Sequence, residues 1–134
     1  MRIGIIGAGV AGLATAKTLK QAGHDVVVFD KTPDVGGVWS GTRRYPGLTT
    51  QSAKATYALS DFPMPRDYPE WPTGEQVQTW LAAYAATFDL DQHLRLNTEV
   101  TRARSCTTPR RPATSTCWSS ATASRRATSP SRSV

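Results

Sequence analysis

The sequence predicts an α/β fold with a parallel sheet, and three observations predict it. A short apolar strand, a helical segment and a second apolar strand follow one another within the first thirty residues. Three glycines stand between the first strand and the helix, at Gly7, Gly9 and Gly12. The second strand ends on an acid, Asp30. Strand, helix and parallel strand make one crossover unit, and such crossovers are right-handed.

Each element has its own reason. Arg2 to Ile6 reads as a short buried strand, with Ile3, Ile5 and Ile6 as its apolar residues. Val10 to Ala22 reads as a helix: Leu13, Ala16 and Leu19 recur on one side, and Gly23 supplies a left-handed stop. His24 to Asp30 contains Val26, Val27, Val28 and Phe29, a continuous run that predicts a strand buried on both faces. Residues 31–72 are rich in Gly, Pro and aromatics and show no sustained period. Within them Ala53 to Leu59 suggests a short helix, and prolines stiffen the chain at 60–65 and 68–72. A loop this long inside one domain tends to be functional. Thr73 then caps a second helix, with Gln76 three residues on as in a capping box. Val77, Trp80, Leu81, Tyr84 and Phe88 form one apolar stripe along it. Leu94 to Val100 alternates apolar and polar residues and reads as a third strand, nearer a sheet edge.

Composition bounds the rest. The chain has 134 residues, room for one ordinary domain. Its net charge of +6 is unevenly placed. Residues 101–134 hold seven Arg and no acid, whereas residues 1–100 hold nine basic and ten acidic residues, or −1. The basicity belongs to the tail. That tail has eight Ser, seven Thr, five Ala and three Pro, and lacks Gly, Leu, Ile, Phe and Met. Such a segment cannot offset its own ordering entropy, so disorder is expected over 101–134. A nucleic-acid-binding tail is usually Lys-rich or carries spaced stacking aromatics, and this one has only Trp118. No nucleic-acid partner is expected, and no protein partner is predictable. Cys106 and Cys117 both lie in the tail, so neither a disulfide nor a thiolate metal site is expected in residues 1–100. The apolar run at Ile3 to Ile6 is too short for a signal h-region or a membrane span. The expected location is the cytoplasm.

The chemistry is carried by Gly7-Ala8-Gly9-Val10-Ala11-Gly12, which is G-x-G-x-x-G. It follows a strand, opens a helix, and precedes a strand whose terminal Asp30 lies eighteen residues past Gly12. In that context the pattern marks a Rossmann-like dinucleotide site. Gly7 permits the tight turn, Gly9 lets a pyrophosphate approach the backbone, and Gly12 lets the helix pack close to the sheet. The helix start offers free N–H groups and a positive partial charge to phosphates. Asp30 is placed to accept from ribose hydroxyls. The competing reading is a glycine-rich turn with no nucleotide. Asp30-Lys31 suits FAD or NAD equally. Gly36-Gly37-Val38-Trp39 tilts the choice to FAD: paired glycines admit a ligand to the backbone, and Trp39 supplies a large flat surface. The other reading of that segment is a structural turn with a core Trp.

Residues 2–100 resemble the N-terminal part of the flavin-containing monooxygenases, a group that includes the related Baeyer–Villiger enzymes. The resemblance rests on Gly7–Gly12, Asp30, Gly36-Gly37-Val38-Trp39, Tyr45-Pro46-Gly47-Leu48, Ser60-Asp61-Phe62-Pro63-Met64-Pro65 and Trp71-Pro72. It implies an incomplete FAD-binding domain over 1–100. By this resemblance Gly7, Gly9, Val10, Ala11 and Gly12 hold the pyrophosphate and Asp30 holds the ribose, and Lys31 beside it is a further candidate for the cofactor site. Gly37, Val38 and Trp39 line the flavin side. Thr50 and Gln51 fall where family members approach the isoalloxazine, although Asn is commoner than Gln there, and a solvated loop is the alternative. Val100 fits a position whose backbone often meets the adenine. No catalytic residue and no metal ligand is assigned. The family reduces its FAD with NADPH and uses the reduced flavin and oxygen to oxygenate a soft nucleophile or a carbonyl. Its second G-x-G-x-x-G, for NADPH, is not among these 134 residues. Two expectations follow: a truncated FAD/NADPH-dependent monooxygenase, or a non-enzymatic dinucleotide-binding remnant. An out-of-frame reading of a GC-rich gene would explain both the missing half and the tail composition.

Overall fold

The computed structural model describes residues 1–103 and the backbone of a strand at 123–125. The α/β class and the incomplete parallel sheet stand as expected. Strand β1 (Arg2–Ile6) leads through helix α1 (Val10–Gln21) into β2 (Asp25–Phe29), which lies parallel to β1. The register sets Ile3 against Val26 and Ile5 against Val28. Strand β3 (Leu94–Arg95) pairs in parallel on the other side of β2, giving the order β1-β2-β3. Between β2 and β3 run the short helix α2 (Lys54–Tyr57) and the longer α3 (Gly74–Thr87).

Register partners in a parallel pair share a face, so Ile5, Val28 and Leu94 point the same way. That face carries the core: Leu13 and Ala16 of α1 join Val77, Trp80, Leu81, Tyr84 and Ala85 of α3 against it. Of the stripe read along α3, Val77, Trp80, Leu81 and Tyr84 are buried, and Phe88 packs half-buried against the core. The proline-stiffened segment feeds this core. Phe62 stacks on Trp80 at 6.3 Å between centroids and meets Tyr84 edge-on at 5.4 Å. Met64 is buried beside it. Polar ties lock the frame: Lys20 Nζ donates to the carbonyls of Phe88 and Asp89 at 2.8 and 2.9 Å, closing the C-terminal end of α3 onto α1.

Two expectations change. The run Val26–Phe29 is not buried on both faces: Val26 and Val28 are buried, while Val27 and Phe29 are half-buried and Ile6 is 67% exposed. The described helices with buried residues, α1 and α3, both supply the core on the Val28 face, which leaves the other face thinly covered. The third strand is also two strands. Asn97 adopts φ +52°, a left-handed conformation that Asn tolerates, and it ends β3. Its N–H donates to the Thr32 carbonyl, and the Thr98 N–H to the Asp30 carbonyl. The chain then continues as β4 (Thr98–Val100), paired antiparallel with β5 (Ala123–Arg125). Disorder is expected for that stretch, yet a strand pair needs only main-chain bonds, which an Arg/Ser/Thr-rich segment can supply. Cys106, Cys117, Trp118 and most of the tail lie outside the described residues.

Candidate dinucleotide site

The site begins where β1 stops. Gly7 takes φ +103°, which only glycine adopts without strain, and its N–H donates to the Phe29 carbonyl at 2.7 Å. The turn so formed delivers the chain to α1. Gly12 is required at the first turn of that helix, because a Cβ there would stand 1.9 Å from the Gly7 carbonyl oxygen. The obstacle is the turn more than the sheet, whose nearest atom, Ile5 Cγ2, is 3.7 Å away. Gly9 faces Gly37 across the mouth of the turn: a Cβ on Gly37 would lie 3.1 Å from the Gly9 Cα. The backbone of 36–37 therefore closes one side of the glycine turn.

Helix α1 opens on Gly9 with no side chain capping it and no acid in its first turn. The N–H groups of Gly9, Val10, Ala11 and Gly12 precede the first helical bond, which runs from Leu13 N–H to the Gly9 carbonyl. Four backbone donors at the positive end of a helix, beside a glycine turn, make a receptor for phosphate oxygens. The geometry fits a dinucleotide pyrophosphate at these residues.

Asp30 stands at the far end of β2, 9% exposed, and its carboxylate is already engaged. Oδ2 accepts the Ala8 N–H at 2.6 Å. Oδ1 accepts the Thr32 N–H at 2.8 Å and the Thr32 hydroxyl at 2.7 Å. Burial by itself pushes this carboxyl up. The Ala8 and Thr32 donors, with the positive charge of Arg43, outweigh it and hold the group below the usual carboxylate range. A carboxylate has about four acceptor directions, so these three bonds leave one on Oδ2 unused among the described contacts. The Ala8 carbonyl is held too, by the Gly36 N–H at 2.9 Å. Ala8, fully buried, is thus gripped from both sides.

The remaining candidates fall in three places. Lys31 is exposed beside Asp30. In the 3₁₀ turn Gly37–Trp39, Val38 is 59% exposed whereas Trp39 is buried in the core, its indole N–H donating to the Tyr57 hydroxyl at 2.9 Å. Of the two readings of Trp39, the core reading describes its packing, and Val38 is the apolar group left facing outward. Thr50 and Gln51 sit beside the start of α3, tied there by the bond from Thr50 N–H to the Pro72 carbonyl. Gln51 is exposed; Thr50 is 3% exposed and its hydroxyl has no partner among the described residues. Leu48 and Trp39 meet at Gly74, which links this segment to the glycine-37 turn. Val100 is half-buried on β4, two residues beyond the Thr98 N–H that binds the Asp30 carbonyl. Arg44 and Tyr45 line an open hollow of about 380 Å³ with Leu48, Thr73 and Glu75. Sequence reading missed Thr32, although Asp30-Lys31-Thr32 has the spacing of an Asx turn, in which the acid accepts the N–H two residues on.

A glycine turn, an uncapped helix start and an acid at the end of the neighbouring parallel strand define a dinucleotide-binding α/β unit. Comparison with known proteins narrows that class. The family described as flavin-binding monooxygenase-like matches residues 1–129, and the chain belongs to it. Human flavin-containing monooxygenase 1 is 34% identical over 113 residues, covering 78% of this chain and 21% of the relative. A probable flavin-containing monooxygenase 1 of Arabidopsis thaliana is 40% identical over 105 residues, covering 77% and 19%. Among solved structures, an oxidized steroid monooxygenase bound to NADP superposes with a TM-score of 0.69 at 28% identity over 75% of this chain and 20% of that one. The OTEMO complex with FAD and NADP gives 0.68 at 29% identity over 78% and 20%. The chain therefore spans about a fifth of the length of these relatives. No described helix is long and apolar enough to cross a membrane.

Proposed function

We propose that this chain binds the ADP moiety of FAD, as the N-terminal part of a flavin-dependent monooxygenase. The observation that carries the reading is the uncapped start of α1 behind the Gly7 turn, with Ala8 held by Asp30 and Gly36. In this reading Gly9, Val10, Ala11 and Gly12 donate to the pyrophosphate. Asp30 accepts from the ribose through the open direction of Oδ2, with Lys31 beside it. Gly37, Val38 and Thr50 lie toward the flavin, with Trp39 as the packed support and Gln51 at the exposed margin. Val100 stands near the adenine. When bound, FAD supplies the redox chemistry; the protein binds and orients it.

Alone, the chain is proposed to hold FAD weakly and to leave NADPH unoxidised. Two facts support this: the 134 residues contain one G-x-G-x-x-G, and one face of β1 and β2 is thinly covered by the described residues. A cytoplasmic location and an out-of-frame origin of residues 101–134 belong to the same reading. Translating the downstream DNA in all three frames checks the latter, and a missing second glycine pattern there removes it. The binding test is an amide-resolved NMR titration of the purified chain with FAD, ADP and riboflavin. FAD and ADP are expected to move the amides of Gly9 to Gly12, and riboflavin to leave them in place. Amides unmoved by ADP and FAD reject the reading. NADPH consumption by the purified chain rejects the inactivity.

A further inference from the structure

Thr32 meets no part of the proposed ligand, yet it is 5% exposed and fully engaged. Its hydroxyl lies 2.7 Å from Asp30 Oδ1 and 2.8 Å from the Asp34 carbonyl oxygen. One proton serves two acceptors, as in a three-centre bond. Its N–H adds a second donor to Asp30 Oδ1, and its carbonyl accepts the Asn97 N–H at 3.0 Å. The chain of contacts continues from Asp34. The Asp34 carboxylate accepts the Ser40 hydroxyl, and also the Gly41 N–H at 2.9 Å. These bonds close the loop 34–41, which carries Gly36 and Gly37. That loop returns to the glycine turn through the bond from Gly36 N–H to the Ala8 carbonyl.

We propose that Thr32 is the positioning residue of the nucleotide site: its hydroxyl fixes the Asp30 carboxylate against the Ala8 N–H and couples it to the Gly36-Gly37 loop. The inference rests on the nucleotide reading of the site. The physical case is one of orientation. A free Asp side chain rotates about its terminal bond over a broad range. Two donors on Oδ1 pin that rotation, so that Oδ2 faces Ala8 and keeps one acceptor direction for a ligand. Without the hydroxyl, the carboxylate loses a charge-assisted bond inside a buried setting, where such bonds are strong. The turn at Ala8 and the loop at Gly36 then keep their direct bond but lose the tie that runs through Asp30, the Thr32 hydroxyl and Asp34.

The electrostatic surroundings are simple. Arg43 acts on Asp30 from the following loop. Lys31 and Asp34 share its own loop. Arg95 of β3 turns its guanidinium to the Gln92 and Leu94 carbonyls. Glu99 lies on β4, and the first turn of α1 carries no acid. Removing the Thr32 hydroxyl should therefore raise the titration of Asp30 without any change of charge nearby.

The test uses the full chain as Thr32→Val and Thr32→Ser, with two readouts. The first is the carboxyl carbon titration of Asp30 by NMR, with no ligand. The second is the FAD titration of the Gly9 to Gly12 amides. Thr32→Val is expected to move the Asp30 titration upward and weaken FAD by up to about tenfold, the order of cost of immobilising one more side chain on binding. Thr32→Ser is expected to restore both. Unchanged titration and unchanged affinity in a folded Thr32→Val protein overturn the proposal. If Thr32→Val does not fold, Thr32→Ser decides: wild-type values support the hydroxyl, and values weakened about tenfold overturn it. If wild-type protein ignores FAD and ADP, the proposed function fails, and the ligand-free titration alone upholds or overturns the tie between Thr32 and Asp30.

Discussion

Helices α1 and α3 pack into one core, but they begin in opposite ways. Helix α3 starts on Thr73 with a complete capping box: the Thr73 side chain accepts the Gln76 N–H at 3.3 Å, and the Gln76 side chain accepts the Thr73 N–H at 2.9 Å. Glu75 adds an acid to its first turn. Helix α1 starts on Gly9 with neither cap nor acid. An isolated helix would gain from both devices, so their absence at α1 forgoes stability. On the proposed function, the difference separates a helix start that serves the fold from one left open for a ligand. It also shows what stands in for the missing cap: Asp30 and Gly36 hold Ala8 from outside the helix.

The sharpest way to break this contrast is to fill the space under α1. Gly12→Ala places a Cβ against the Gly7 carbonyl oxygen, where neither backbone segment can yield cheaply. Overpacking costs run to about 3 kcal/mol, and this change is expected near that limit. Thermal denaturation should show it, and the FAD response at Gly9 to Gly12 should vanish. Gly23→Ala is the control. It meets no atom within 4 Å and strains only a φ of +81°, so it should cost about 1 kcal/mol and spare the site.

Asp30→Asn tests the external grip. It removes a charge that gathers three donor contacts, and a bond to a charged group is worth about 2 kcal/mol. The sign with pH follows from the depressed carboxyl. Its contribution is complete above the unfolded carboxyl pKa of about 3.9 and is lost as pH falls through the folded value. Wild type should therefore lose stability in that acid window, and Asp30→Asn should lose less there. Denaturant midpoints across the range measure it. Equal acid slopes in the two proteins would remove Asp30 from the argument.

Much of this contrast was legible in the sequence. The glycine spacing, the α3 stripe and the Thr73–Gln76 box are local patterns, and local patterns survive folding. The contacts that join distant segments were not. Ala8 reaches Asp30 across 22 residues, and Phe62 enters the aromatic cluster from a loop without a period. Trp39 illustrates the limit: a Trp beside two glycines reads equally well as a ligand surface or as core, and its burial in the core, with its bond to Tyr57, separates them. The break at Asn97 carried a faint signal, since Asn is one of the few residues at ease with a positive φ.

Removing the α3 cap sharpens the comparison from the other side. Thr73→Ala deletes the acceptor for Gln76 N–H and should cost about 1 kcal/mol. Because α3 carries no phosphate donors in the proposed site, FAD affinity below the melting transition should stay at the wild-type value. A matched loss of affinity would mean that the start of α3, with Thr50 beside it, contributes to binding directly.

The smallest expected effect on stability is also the most discriminating. Gly9 has φ −83° and ψ −172°, extended backbone that any residue adopts, and a Cβ there would meet the Gly37 Cα at an ordinary 3.6 Å. Gly9→Ser should therefore fold and supply the cap that α1 lacks. Serine improves on glycine at this position by only a few tenths of a kcal/mol, so the melting temperature should hold or rise slightly. Its hydroxyl would then occupy a helix N–H that the proposed site offers to phosphate. Stability and FAD affinity should move in opposite directions, with Gly9→Ala separating the loss of space from the loss of a donor. A Gly9→Ser protein that is both more stable and equally responsive to FAD would show that the open start of α1 is not where the pyrophosphate sits.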